Sequence, residues 1–364
     1  MKIEIHKVAM NSPSDVSGLE SLIKSGHVDP STIVAAIGKT EGNGGANDFT
    51  RGYATLSYQL LLAPLLCLSP EQIGERIAFV WSGGTEGVLS PHATFFTRVE
   101  SEPANAPRLA LGVGMTRDLA PEEIGRMTMV NLVADAVREC LKQTGITDPK
   151  EVHYVQVKGP LLTPARISDA RERGAKLATD DPNGSKAYAR GAMALGVAVA
   201  LGEVDAAVLS DESITRRLDL FSSVASTSAG GELRSCEVLL LGNSPAAGGD
   251  LRIGHAVLSD VIDAAAVRAA LASAGLEVGA TASAEQASKI AAVFAKAEAS
   301  PTGRIRGRRN TMLSDADINY ERHARAALGA VIASVTTDPA IFVSGGTEHQ
   351  CAPGSAPVAA IVRV

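Results

Sequence analysis

The sequence predicts an α/β protein: three structurally similar α/β repeat units around a pseudo-threefold axis, with a functional site at the centre. Three observations predict it. Strand-like and helix-like runs alternate along the chain, the order that an α/β fold requires. One pentapeptide occurs twice, as Ser82-Gly-Gly-Thr-Glu86 and Ser344-Gly-Gly-Thr-Glu348. Strand-like runs end in lysine three times, at Lys39, Lys158 and Lys296.

The unit boundaries follow from composition. Two stretches rich in Pro, Gly and small polar residues, Ser101–Pro107 and Asn243–Asp250, read as linkers. They divide the chain into units 1–103, 108–245 and 251–364. Each unit opens on a strand-like run (Ile3–Val8, Leu109–Val113, Leu251–Val257) and continues into an amphipathic helix (about 15–25, 121–144 and 263–274). The lysine-ending strand follows: Ile33–Lys39, Val152–Lys158 or Ile290–Lys296. After a polar loop, aromatic-x-Arg heads an apolar helix, as Phe49-Thr-Arg51, Tyr188-Ala-Arg190 and Tyr320-Glu-Arg322. Then comes a strand ending in a serine loop. In the middle unit that strand is placed at about 206–210 and separated by an insertion from the loop Ala225-Ser226-Thr-Ser-Ala-Gly-Gly231. A final strand closes each unit, at 94–99, 236–241 and 358–364.

Bulk properties exclude several classes. A net charge of −6 argues against a nucleic-acid partner, since phosphate binding needs clustered Lys and Arg. The one basic run, Arg304–Arg309, reads as a solvated loop. The longest apolar stretch, Leu60–Leu68, is broken by Pro64 and too short to span a membrane. The chain opens on a strand-like run rather than a signal peptide, and its four cysteines form no CxxC pair. The expectation is a cytoplasmic enzyme acting on a small molecule. Gly42-Asn-Gly-Gly45 lacks the dinucleotide-binding spacing.

The repeated polar residues carry chemistry. Serine is a poor nucleophile until a base takes its proton, and a lysine whose pKa is lowered by burial or cationic neighbours can be that base. Glycine after serine lets the backbone approach a ligand and leaves N–H groups for an oxyanion. Arginine offers fixed planar donors to carbonyl groups. Three such sets facing one axis suit a small threefold molecule rich in carbonyls.

On these residues, and on the Glu348-His-Gln350 segment, the chain resembles the ring-opening cyclic amide hydrolases, the cyanuric acid amidohydrolases and barbiturases. The resemblance spans essentially the whole chain. It implies a three-unit fold, serine–lysine chemistry without a catalytic cofactor, a homotetramer, and cyanuric acid as substrate, with a barbiturase or a non-catalytic binding protein as rivals. By carry-over, the substrate shell is Arg51, Ser82, Gly83, Arg190, Ser226, Thr227, Arg322, Ser344 and Gly345, with Lys39 and Lys296 beside it. The resemblance also implies a structural magnesium ion held by Glu298 and the Thr347–Ser355 loop, through Thr347, Gln350, Cys351, Ala352 and Ser355.

The middle set is read as the catalytic one. The outer lysines are followed two residues later by a carboxylate, Glu41 or Glu298, which would hold them protonated. Lys158 is followed by Gly-Pro and is taken as the neutral base. The resemblance points to the same pair, Ser226 as nucleophile with Lys158. Ser228 is the rival nucleophile.

Overall fold

The computed structural model describes residues 1–364. Its strands are β1 (Lys2–Ala9), β2 (Ile33–Thr40), β3 (Ala78–Gly83), β4 (His92–Val99), β5 (Arg108–Met115), β6 (Val152–Pro160), β7 (Ala225–Gly230), β8 (Glu237–Ser244), β9 (Leu251–Leu258), β10 (Ile290–Ala297), β11 (Arg304–Ile305), β12 (Arg308–Arg309), β13 (Phe342–Gly345) and β14 (Ala356–Arg363). Its helices are α1 (Ser17–Lys24), α2 (Thr50–Leu66), α3 (Pro70–Arg76), α4 (Met127–Thr144), α5 (Pro164–Glu172), α6 (Ser185–Ala200), α7 (Ala264–Ala274), α8 (Ala284–Lys289) and α9 (Tyr320–Thr336).

Three four-stranded sheets repeat one topology. Their orders are β1-β4-β2-β3, β5-β8-β6-β7 and β9-β14-β10-β13. In each, the first strand of the unit lies beside the last, and the second pairs in parallel with the third. The basic run folds as the small β11–β12 hairpin, where Arg306 reaches Asp260.

Side-chain alternation along each strand divides the core. Outward residues such as Ala36, Phe79 and Phe95 pack under α2, and the other two units do the same beneath their own helices. Inward residues from all three sheets meet in one central cluster, with Ile37, Val80, Tyr154, Leu239, Phe294, Phe342 and Ile361 among them. Phe294 lies within 6.4 Å, ring to ring, of Phe96, Tyr154 and Phe342. Two residues further along the same inward face, Ile37 gives way to Lys39 and Phe294 to Lys296. The apolar axis therefore ends in a polar site. No single helix is long and apolar enough to cross a membrane.

Two local expectations change. The strand placed at about 206–210 is a 3-10 turn, Ala206–Val208, capped by Asp205. It contributes no inward apolar alternation, and the strand that pairs with β6 is β7, which contains the serine loop itself. The helix placed at 121–144 is split into a 3-10 turn, Pro121–Glu123, and α4, with Gly125 at φ 72° between them.

Candidate active site

Parallel pairing places each lysine beside a serine. Lys39 is in register with Ser82, Lys158 with Ser228, and Lys296 with Ser344. All three lysines are at most 1 % exposed, and burial lowers the pKa of each. Each also reaches into a neighbouring unit. Lys39 donates to the Val343 carbonyl (2.7 Å), Lys158 to Trp81 (2.5 Å) and Lys296 to Thr227 (2.8 Å). Every one of those carbonyls belongs to the residue just before a serine. The three contacts close a ring around the axis.

A second ring lies around the first. Arg51 pairs with Glu232 (3.0 Å), Arg190 with Glu348 (2.7 Å at both nitrogens) and Arg325 with Glu86 (2.9 and 2.5 Å). Each glutamate stands four residues after its serine, and each arginine comes from another unit's helix: α2, α6 or α9. The arginines are 3–5 % exposed, so their guanidinium groups are held by fixed partners rather than by water. The residue two after each serine is glycine, for a steric reason. A Cβ on Gly346 (φ 78°) would lie 2.2 Å from the Arg190 guanidinium carbon, and one on Gly230 2.2 Å from a Glu232 oxygen.

Both rings open on one cavity. It is lined by Arg51, Arg190, Arg325, Ser82, Ser228, Ser344, Gly83, Ala229, Gly345, Lys158, Lys186 and Glu321, together with Gly44 and Trp81. Lys39 and Lys296 stand just outside the lining, their amines tied to serine and carbonyl oxygens.

Comparison with known proteins decides the family. The sequence matches the family described as "amidohydrolase ring-opening protein" over residues 4–363. The chain belongs to the ring-opening amidohydrolases. It is 69% identical to a cyclic amide hydrolase of Azorhizobium caulinodans, with all of both chains covered. It is 52% identical to a cyanuric acid amidohydrolase of Enterobacter cloacae, again over the whole of both. A solved cyanuric acid hydrolase, described as an innovation by structural concatenation, superposes with a TM-score of 0.95 at 49% identity, covering 100% of this chain and 99% of that one. A second, from A. caulinodans, gives 0.92 at 47% identity with the same coverage.

Within this ring-opening amidohydrolase, three expected residues take other places. Ser226 pairs with Gln156, two residues below Lys158 along the strand. It is fully buried, and its hydroxyl donates to Gln156 Oε1 (2.9 Å). The serine that lines the cavity is Ser228, whose Oγ has no partner. Thr227 faces away from the cavity. Its hydroxyl donates to the Arg190 carbonyl, and its own carbonyl receives Lys296. Arg322 has a side chain 40% exposed, one turn away from the buried Arg325 that pairs with Glu86. The carboxylate contrast between the lysines also reverses. Glu41 is exposed and pairs with no lysine, whereas Lys158 has Glu232 Oε1 at 3.2 Å.

Sequence signals for these positions existed. Counting back from the glutamate gives Ser-x-Gly-x-Glu in every unit, with Ser228-Ala-Gly-Gly-Glu232 as the divergent copy. A small residue follows each site arginine, as in Arg51-Gly, Arg190-Gly and Arg325-Ala, while His follows Arg322. Lys186 and Glu321 carried no repeat signal. They occupy one helical position in their units, four residues before the arginine, and approach each other to 3.8 Å. Cationic neighbours led by Arg190 hold the Glu321 carboxyl at about 2 despite its burial.

Of the six residues expected to hold a cation, Glu298, Thr347 and Cys351 line one cavity beside the central one, together with Glu348, and Gln350, Ala352 and Ser355 are not in its lining. Glu298 makes no salt bridge, and burial with Glu348 nearby raises its carboxyl to about 8, an environment that a cation would relieve. Thr347 and Ala352 each accept one backbone hydrogen bond, which leaves each carbonyl a free lone pair. The Gln350 side chain is committed to Thr227 N, Gly346 O and Glu348 O, so only its backbone is available. No three His, Cys, Asp or Glu side chains converge, so an ion here would rest mainly on backbone oxygens.

Proposed function

We propose that this chain hydrolyses cyanuric acid, opening its ring with Ser228 as nucleophile and Lys158 as general base. The observation that carries this reading is the threefold shell. One serine and one arginine from each unit line a single cavity, with Lys158 in its wall and Lys39 and Lys296 just outside it, and each arginine is held by a glutamate of a neighbouring unit. Cyanuric acid offers three carbonyls and three N–H groups in the same symmetry. The names of the relatives support the same substrate.

Unit B is chosen on the surroundings of its lysine. Lys158 makes a single carbonyl contact, to Trp81, and has Glu232 Oε1 at 3.2 Å, which favours its ammonium form against burial and Arg51. Lys296 donates to two carbonyls, and Lys39 donates to the Ser82 hydroxyl (3.1 Å) and to one carbonyl. Ser82 is thereby held as an acceptor, whereas Ser228 Oγ and Ser344 Oγ have no partner; of these two, Ser228 stands in register with the lysine that makes one carbonyl contact rather than two. Lys158 takes the Ser228 proton as Oγ bonds to a ring carbonyl carbon. The arginines and the backbone N–H groups of the serine loops stabilise the oxyanion. The C–N bond breaks, and Lys158 returns the proton to the leaving nitrogen. Water then cleaves the acyl-serine, giving carboxybiuret, which loses carbon dioxide to yield biuret.

A divalent cation, magnesium by resemblance, would be held by Glu298 and by the carbonyls of Thr347, Gln350, Cys351, Ala352 and Ser355. Its contribution would be to fix the serine loop of the third unit to its lysine strand. The four free cysteines suit a reducing, cytoplasmic setting. Self-association, which a homotetramer requires, is supported by Phe49, just before α2, and by Tyr53, Leu56 and Leu60 on it, which are 82%, 55%, 46% and 56% exposed along one face. A Tyr53→Glu/Leu60→Glu variant is expected to sediment as a smaller species than the parent. Unchanged sedimentation would remove α2 from the interface.

Product analysis with separate substrates tests the function. Biuret and carbon dioxide from cyanuric acid, with barbituric acid untouched, is the expected result. Turnover of barbituric acid alone would reassign the substrate, and turnover of neither would leave a binding protein.

A further inference from the structure

The three lysines occupy equivalent places, but the residue across the antiparallel strand pair differs at each. Opposite Lys39 stands His92. The register that pairs Ala295 with Val358 sets Lys296 opposite Pro357. Opposite Lys158 stands Glu237, the first residue of β8. Directly opposed residues project on the same face of a sheet, so unit B alone puts an acidic group across from its lysine.

Glu237 is 6% exposed, and its Oε2 has no hydrogen-bond partner. A buried carboxyl oxygen left unpartnered is costly, and such groups persist where they serve chemistry. We infer that Glu237 is a positioning residue that sets the charge of Lys158 from across the strand pair. This rests on Lys158 being the base.

The other groups facing the pair can be named. Glu232 and Glu237 favour the ammonium form of Lys158, while burial and Arg51 from α2 oppose it. Lys39 from β2 is close enough for each lysine to bear on the other. β3 offers the Phe79 backbone N–H, and the Cys236 thiol adjoins Glu237 in sequence. Met115, opposite Glu237 on β5, carries no charge. Burial raises the Glu237 carboxyl itself to about 8, so it gains and loses its proton near neutral pH.

The sign follows from these charges. An ionised carboxylate beside an ammonium stabilises the ammonium. Glu237 therefore keeps Lys158 protonated to higher pH than its burial and remaining neighbours would. Glu237→Gln removes that effect without changing shape, and Glu237→Met serves the same purpose if the amide misfolds. Either variant is expected to move the acid limb of the kcat/KM profile for cyanuric acid down by about 0.5–1 pH unit. Glu237→Asp keeps the charge and is expected to hold the limb near its original place. A uniform drop in kcat/KM with the limb unmoved in the neutral variants would overturn the inference, as would an Asp variant shifted as far as the Gln one. Lys158→Met separates the two claims. Turnover surviving in it would overturn Lys158 as base, whereas an inactive Lys158→Met beside an unmoved Glu237→Gln limb would overturn Glu237 alone.

Discussion

Ser228→Ala is expected to lower cyanuric acid turnover by about 10³-fold or more, the scale seen when a covalent nucleophile is removed. Its neighbour on the same strand face gives the contrast. Ser226→Ala removes one buried hydrogen bond to Gln156, expected to cost about 1 kcal/mol of stability and to leave turnover within about tenfold. Steady-state biuret release, with a urea melt for each variant, measures both effects. Ser82→Ala and Ser344→Ala are expected to weaken substrate binding more than they slow the chemical step, because in this account those serines hold ring carbonyls and attack none. Comparable losses for all three cavity serines would remove the distinction between the units.

Arg325→Ala is expected to reduce kcat/KM by about 10²-fold or more, and to destabilise the fold by about 3–5 kcal/mol, because it leaves Glu86 without its buried partner. Arg322→Ala, one turn away and 40% exposed at its side chain, is expected to change stability by less than about 0.5 kcal/mol. Its side chain's one hydrogen bond runs to the Asn43 carbonyl at 3.3 Å. Thermal unfolding and kcat/KM for the two variants check the pair together. An Arg322→Ala variant as damaged as Arg325→Ala would mean that the arginine ring is closed by the other residue.

Much of the fold was legible because strand, helix and turn signals repeat three times, and a repeated signal outweighs a weak local one. The lysines were legible too: Lys39 and Lys296 follow inward apolar residues, Lys158 follows Tyr154 and Gln156 on the same face, and the period of two carries each into line. In the middle unit the serine at the cavity is Ser228, two residues on from the expected Ser226, for a related reason. Ser226 and Ser228 share a face, so alternation cannot separate them, and only the distance to Glu232 does. For the third arginine, helical geometry left two positions open, and the structure buries Arg325 against Glu86 rather than the expected Arg322. Arg322 and Arg325 lie three residues apart on neighbouring positions of α9, and burial chose between them. The carboxylates beside the lysines were not readable at all. Glu232 and Glu237 reach Lys158 from a loop and from an antiparallel strand more than seventy residues away in sequence, whereas the adjacent Glu41 turns to solvent.

The most direct test of the central claim is to quench the enzyme in acid during turnover of cyanuric acid, digest it, and locate the acyl group by mass spectrometry. The account predicts an adduct that fragmentation places on Ser228 itself, absent in Ser228→Ala. An adduct on Ser82, Ser226 or Ser344 instead would contradict it.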